Sequence, residues 1–374
     1  MALPTILLFL PSLEGGGAER VFARLANEFA ALDYPVHLAL ARAAGPYLSE
    51  ISDRVRVVDL GATSVFRSLP ALCRHLRAER PAVVLSALDH ANATAILARA
   101  VARTGTRCVV STRAVRTAVY LKDKTTRRWL MQQVGRVTYR FADLIIANSH
   151  VVADDFAQSL GIPPQRMSVI YNPLDLARIE ERSRASLEHP WLADRSPPVI
   201  LSVGSLTAVK DFATLIGAFA AIRSARPARL VILGEGSQRA NLETLVRQLQ
   251  LQDDVLMPGF ADNPFPWMRR AAVFVSSSLT EGCPNALMEA LACGAPVVST
   301  NGPGGSAEVL QGGAWGRLVP VGDAAAMAAA IIATLDSPEH PDGKRRADDF
   351  ALHGIARQYL RTLLPNSSSQ LAGG

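Results

Sequence analysis

The chain has 374 residues, 49% of them hydrophobic and 19% charged, with a net charge of +6 at pH 7. That composition has room for two domains with sizeable cores and is too apolar for a disordered chain. No charge-free apolar run reaches the roughly 18–20 residues of a bilayer span, and Cys73, Cys108, Cys283 and Cys293 lack the paired spacing of a zinc site, as expected of reduced thiols in a cytoplasmic protein.

Residues 6–9 read as a buried strand, without the basic flank and cleavage site of a secretion signal. Gly15-Gly16-Gly17-Ala18-Glu19-Arg20 then opens an amphipathic helix over 18–32. Glycines at a helix N-terminus let backbone N–H groups approach a phosphate where the helix dipole is positive. The same run also reads as a tight turn. It is not a nicotinamide fingerprint, whose third glycine would fall at Arg20. Apolar runs at 36–41, 83–86, 108–111, 144–147 and 168–171 continue as strands, and strands separated by helices mark a parallel α/β sheet. After the 83–86 strand come Asp89, His90 and Asn92, three polar groups at a strand end. His90 reads as a structural residue or a site residue, and Asp89 or Asn92 is an alternative to it.

Between Arg113 and Arg140 eight basic side chains stand against one acid, Asp123, with Tyr120, Trp129, Tyr139 and Phe141 interleaved. This segment holds the whole positive surplus. It reads either as a surface for an anionic membrane or acidic ligand, with Lys124, Arg127 and Arg128 contributing, or as a solvated helix face. Nucleic acid is not expected as a partner, because the surplus is confined to one segment without an RNA or DNA module. Arg113 is a candidate acceptor-side charge, and Asn148 and Asn172 at strand ends read equally as turn caps.

Residues 181–198, charged and carrying Pro190, Pro197 and Pro198, read as a linker. The alternation then restarts with strands at 199–203, 229–233, 255–257, 273–276, 296–299 and 316–319 and helices at 211–225, 238–249, 285–292 and 324–335. Two such units imply a cleft. In the first strand-to-helix turn, Gly204, Ser205 and Thr207 precede Lys210, which either points an ammonium at a diphosphate or is an exposed helix-start lysine. Thr280-Glu281-Gly282-Cys283-Pro284-Asn285-Ala286-Leu287-Met288-Glu289 places one glutamate before a helix and another within it. Pro284 suits the first helical position, leaving the N–H groups of Asn285, Ala286 and Leu287 for an anion. Glu289 lies roughly 7–8 Å further along the axis at about 1.5 Å per residue. Two acids beside a diphosphate repel it unless they face sugar hydroxyls, from which carboxylates accept paired hydrogen bonds. Alternatively Glu281 is a helix N-terminal charge and Glu289 an exposed helix residue.

On the 15–20 loop, the turn from Gly204 to Lys210, Leu233-Gly234-Glu235-Gly236, and above all Glu281 with Glu289 running into Gly294-Ala295-Pro296-Val297-Val298, the chain resembles the family-4 retaining glycosyltransferases of the GT-B fold. The resemblance spans about residues 5–362. It implies an α/β fold of two Rossmann-like parallel-sheet domains across a cleft. The expected organisation is an acceptor-side domain over 1–180, the linker over 181–198 and a nucleotide-sugar domain over 199–345. A helix over 346–362 would pack back on the first domain, followed by a disordered tail over 363–374.

By that likeness Glu281 contacts the donor sugar and Glu289 the ribose. Lys210, Pro284 and Asn285 to Leu287 hold the diphosphate, under the Gly16–Gly17 loop. Gly204, Ser205, the 234–236 loop and Phe260 complete the donor site, and His90 is similar to the family's cleft histidine near the transferred sugar. Many members carry arginine where Ser205 stands, so one charge-assisted phosphate contact is missing here. The expected reaction is transfer of a sugar from a UDP- or GDP-linked donor to a glycan or lipid-linked acceptor, by front-face attack, in bacterial surface polysaccharide synthesis. The expected location is cytoplasmic, peripheral at the inner membrane face. No obligatory metal is expected, because Asp253 and Asp254 are adjacent and no Asp-x-Asp motif occurs. The alternatives are a nucleotide-sugar epimerase of the same fold and a non-catalytic GT-B binding protein.

Overall fold

A computed structural model describes residues 3–14, 16–117, 135–192 and 197–365. The chain forms two compact units, one of Met1–Pro173 with Leu352–Gly374, the other of Leu174–Ala351.

In the first unit β1 (Ile6–Leu10), β2 (Val36–Leu40), β3 (Val55–Asp59), β4 (Val83–Ala87), β5 (Arg107–Thr112), β6 (Leu144–Ala147) and β7 (Met167–Val169) form a parallel sheet, in the order β3-β2-β1-β4-β5-β6-β7. Strands β1, β2 and β4 are buried along their whole length. Helices cover both sheet faces, which is why these strands read as unbroken apolar runs. Helices Gly17–Ala31 and Leu352–Leu363 pack on one face around Phe22, Phe29 and Tyr359. Helices Leu69–Glu79, Asp89–Ala102 and His150–Leu160 pack on the other around Leu72, Ala95 and Phe156. The strand order turns back between β1 and β4, so their carboxyl ends flank the crevice where open α/β sheets bind ligands. Into that crevice β1 delivers the loop carrying Gly16, and β4 delivers Asp89 and His90.

The second unit repeats the plan with β8 (Val199–Val203), β9 (Arg229–Leu233), β10 (Val255–Gly259), β11 (Val273–Ser276), β12 (Val297–Thr300) and β13 (Arg317–Val319), all parallel, in the order β10-β9-β8-β11-β12-β13. Its switch point lies between β8 and β11. Phe212, Leu215 and Phe219 of helix Phe212–Ala225 and Ile331 of helix Ala324–Leu335 close its core.

The division differs from the expected linker: the chain leaves the first unit at Pro173 and returns at Leu352. Leu174 bridges in parallel to Ala351, and its N–H donates to Phe350 O at 2.8 Å. Helix Leu176–Ser183 starts on Asp175, whose carboxylate accepts from Arg178 N at 3.0 Å. On it Glu180 takes Arg184 at 2.8 Å, Lys344 at 3.1 Å and Arg269 at 3.3 Å. Lys344 and Arg184 hold that carboxyl down to about 2. Further on, the Arg229 guanidinium lies 5.0 Å over the Trp191 ring. Arg182 pairs with Asp262 at 2.8 Å and Arg270 Nη1 donates to Leu187 O at 2.6 Å, so residues 181–192 are fastened to the second unit largely by charged contacts, and a segment fastened that way reads as a linker because it has no apolar period. At the other end helix Gly343–Ala347 stays with the second unit and Leu352–Leu363 joins the first. Residues 366–374 of the expected tail lie outside the described residues. Among the described residues no helix is long and apolar enough to cross a membrane.

Candidate functional site

In the second unit the turn after β8 and the loop after β11 are laced together. Leu279 N–H donates to Val209 O, and Ser277 Oγ to Lys210 O, both at 2.8 Å. This brings the Lys210 ammonium onto Glu281 Oε1, to which Ser278 Oγ also donates at 2.8 Å. The Lys210 and Glu281 side chains are only 23% and 18% exposed, so the pair sits where charge is poorly screened. A ligand that draws the ammonium away must give Glu281 replacement donors.

Backbone contacts hold the loops. Gly304 has φ +136°, and a Cβ there would lie 1.6 Å from Glu281 O. Only glycine lets the loop after β12 run beside Glu281, as a parallel bridge with Gly305 N–H donating to Glu281 O at 2.9 Å. Thr300 Oγ1 donates to Ser278 O at 2.5 Å. The 234–236 loop braces the β8 turn in the same way. A Cβ at Gly234, whose φ is +146°, would lie 1.9 Å from Gly204 O. Gly236 packs against Leu206 O, and Leu206 N–H donates to Glu235 O at 2.8 Å. Arg239 binds the Glu235 carboxylate at 2.6 and 2.8 Å and keeps it below its usual range. Phe260, just past β10, is 77% exposed, and Ser205 is exposed in the β8 turn.

Helix Asn285–Ala292 begins after Pro284, which takes the capping position rather than the first helical one. The first ladder bond runs from Met288 N to Pro284 O at 3.1 Å. The amides of Asn285, Ala286 and Leu287 therefore lie ahead of the ladder at the positive end of the dipole. Glu289, 3% exposed, is a buried carboxylate and not an exposed helix residue. Burial, and next the Glu289 charge, push the Cys293 thiol up to about 12.

In the first unit Gly16 is extended (φ −77°, ψ 162°) and precedes the first helix. The Glu19 carboxylate folds back over it, 2.1 Å from where a Gly16 Cβ would be. Gly17 is the first helical residue, and Gly15 lies outside the described residues. His90 is exposed at the start of helix Asp89–Ala102. Asp89 instead accepts from Tyr139 Oη at 2.8 Å and Arg116 Nη1 at 3.3 Å. Asn92 is fully buried between Ser86 Oγ at 2.8 Å and Ser111 O at 2.9 Å. Both serve an internal network, and His90 is the group left facing out. Arg113 donates to Asn172 Oδ1 and Ser111 Oγ, and Asn148 Nδ2 donates to Arg113 O at 3.5 Å, so these three candidates gather at the ends of β5, β6 and β7. Lys124, Arg127 and Arg128 lie outside the described residues.

Sequence reading missed Ser278 and Gly304. The available signals were the serine run at 276–278 and Gly302-Pro303-Gly304-Gly305, each directly after a strand.

Residues 197–337 match the family model for glycosyl transferases group 1, and residues 15–178 match that for Glycosyltransferase Family 4. The chain is 32% identical to the N-acetylgalactosamine-N,N'-diacetylbacillosaminyl-diphospho-undecaprenol 4-alpha-N-acetylgalactosaminyltransferase of Campylobacter jejuni, over 96% of this chain and 98% of that one. It is 35% identical to a putative colanic acid biosynthesis glycosyltransferase, WcaL of Salmonella typhimurium, over 60% of this chain and 57% of that one. Among solved structures, Anabaena HepE in complex with UDP superposes with a TM-score of 0.79 at 20% identity, covering 96% of this chain and 99% of that one. Sucrose-phosphate synthase from Thermosynechococcus elongatus gives 0.78 at 20% identity, covering 98% of this chain and 100% of that one. The fold is GT-B.

Proposed function

The chain belongs to the family-4, group 1 glycosyltransferases, and on that premise we propose that it moves a hexose from a UDP- or GDP-linked donor to a lipid-linked glycan. Transfer retains the anomeric configuration and serves bacterial surface polysaccharide synthesis. The observation that carries the donor assignment is the shielded Lys210–Glu281 pair at the switch point of the second unit, which ties the turn after β8 to the strand-to-helix turn after β11 that carries the amides of 285–287. A diphosphate seated there draws the Lys210 ammonium and those amides, which stabilise the charge that develops on the leaving group. Glu281, held by Ser278, then accepts from the donor sugar's hydroxyls, and Glu289 from the ribose. The acceptor oxygen attacks the anomeric carbon on the face from which the diphosphate leaves. The sugar–phosphate C–O bond breaks, and the acceptor's proton passes to the departing phosphate oxygen. With Lys210 and the amides supplying positive charge, no metal is required.

The family resemblance supports assigning His90 to the transferred sugar and Arg113 to the acceptor. The Campylobacter relative, named for a diphospho-undecaprenol acceptor, supports a lipid diphosphate here, and HepE, crystallised with UDP-glucose, supports a UDP donor. The basic segment with Lys124, Arg127 and Arg128 holds the enzyme to the inner face of the cell membrane.

A thermal-shift screen of nucleotide sugars tests the donor site. The matching donor at about 100 times its Kd should add about 2.7 kcal/mol of stability. Glu281→Gln should lose only the part of the shift that the sugar adds over the bare nucleoside diphosphate, whereas Lys210→Ala should lose both. No shift with any nucleotide sugar would remove the assignment.

A further inference from the structure

Apart from His90 at the start of one of its helices, the outer layer over one face of the first unit's sheet takes no part in that reaction. It consists of the turn Phe66–Ser68 with helix Leu69–Glu79, helix Asp89–Ala102 and the helical stretch 135–141, set around a common core. Arg77 Nη2 donates to Val101 O at 2.9 Å, joining the first two, and Asn92 Nδ2 donates to Tyr139 Oη at 3.3 Å, joining the last two. Ten large hydrophobic side chains stand exposed among the described residues, and five of them are here: Phe66, Leu97, Val101, Val137 and Phe141. Leu97 and Val101 are one turn apart on the outward face of their helix, with exposed Ala100 beside them. Val137 and Phe141 repeat that spacing. A helix that turns apolar residues outward reverses the solvent-facing pattern.

The charge on the same segments has one sign. Arg67, Arg74, Arg103, Arg136 and Arg140 are exposed, whereas the acids are engaged. Glu79 pairs with Arg56 at 2.9 Å, Asp143 with Arg99 at 3.3 Å, and Asp89 with Arg116 at 3.3 Å. Apolar side chains rimmed by guanidinium groups match the headgroup layer of an anionic bilayer, where the apolar groups enter the acyl boundary and the arginines meet lipid phosphates. An acidic protein surface would satisfy the rim but not five separate apolar side chains spread over three segments. We propose that this face docks the first unit on an anionic phospholipid surface. The inference extends the membrane reading of residues 124, 127 and 128 to a separate set of side chains and is independent of the donor-site assignment.

Flotation of the full chain with vesicles of phosphatidylglycerol and phosphatidylcholine, against phosphatidylcholine alone, tests it. Leu97→Ser with Val101→Ser and Phe141→Ser, and separately Arg103→Glu with Arg140→Glu, should each weaken binding to the anionic vesicles at least about tenfold, since one arginine near such a surface is worth about fivefold. Tm and the shift produced by UDP should not change. Wild-type binding by both variants overturns the proposal; if Lys124→Ala with Arg127→Ala and Arg128→Ala then loses binding, the basic-segment reading stands by itself. Wild-type protein that floats equally with neutral vesicles, or with neither kind, also overturns it. So does a wild-type dimer in sedimentation velocity that the apolar triple variant dissociates while vesicle binding persists, since the face would then belong to a second copy of the chain.

Discussion

His37 Nδ1 on β2 and His75 Nε2 on helix Leu69–Glu79 lie 3.2 Å apart. At that distance one ring donates and the other accepts, which suits two neutral imidazoles and not two imidazoliums. Burial first, then Arg56 beside His37 and His37 beside His75, lower both rings below their ordinary 6.5, against an opposing pull from Glu79. The folded rings therefore take up protons less readily than the unfolded ones. Their contribution is complete above pH 6.5 and is lost as pH falls through the lowered folded values. His75→Gln should flatten the decline of Tm as pH falls below 6.5, because the lowered folded value then no longer sets the pair against protonation. An unchanged slope in a melting series would clear the pair of any part in acid sensitivity. At the candidate site, Lys210 and Glu281 are each legible from the strand-to-helix pattern around them. Their pairing across 71 positions is not, because nothing in linear spacing says which loops meet in space.

Among elements, the loops after β11 and β12 form the most tightly specified pair in the second unit. Replacing Gly304 by alanine sets a methyl group against Glu281 O, so the loop must shift and take the carboxylate with it. A displacement near 1 Å costs about a hundredfold in rate at a positioned group, and Gly304→Ala should lower kcat/KM by about that factor. Gly312→Ala is the control. Gly312 is also left-handed, at φ +68°, but nothing lies within 4 Å of its Cβ position, so kinetics should stay near wild type. Equal losses from both substitutions in steady-state assays would reduce the Gly304 effect to backbone strain. The buried strands were readable because two covered faces demand continuous apolar runs. Strand β3 was not, since Arg56, Val57 and Asp59 are exposed on a sheet edge and break any period. Helix Leu176–Ser183 reads partly as linker because Ile179 and Ser183 are its only buried residues.

Across the whole molecule the chain crosses between its units twice, at Pro173–Leu174 and Ala351–Leu352, and the crossings are tied by the Leu174–Phe350 hydrogen bond. Two repeating α/β units were legible from alternation alone, and the return of a late helix to the first unit was carried by resemblance. That helix is structurally essential. Ile355, Tyr359, Leu360 and Leu363 are buried in the first unit's core, and at about 1.5–3 kcal/mol each their loss would remove about 6–12 kcal/mol. This rivals the roughly 5–15 kcal/mol of a whole domain. A chain cut after Ala351 should therefore show in calorimetry only the transition of 174–351, and two transitions at wild-type temperatures would contradict this. The same connectivity sets an order of events during translation. The first 173 residues emerge earliest yet lack a wall of their core until helix Leu352–Leu363 leaves the ribosome. At about 5–20 residues per second that is a wait of roughly 10–38 s. The segment synthesised second can mature first, while the earlier one stays open to chaperones with apolar strands awaiting their lid.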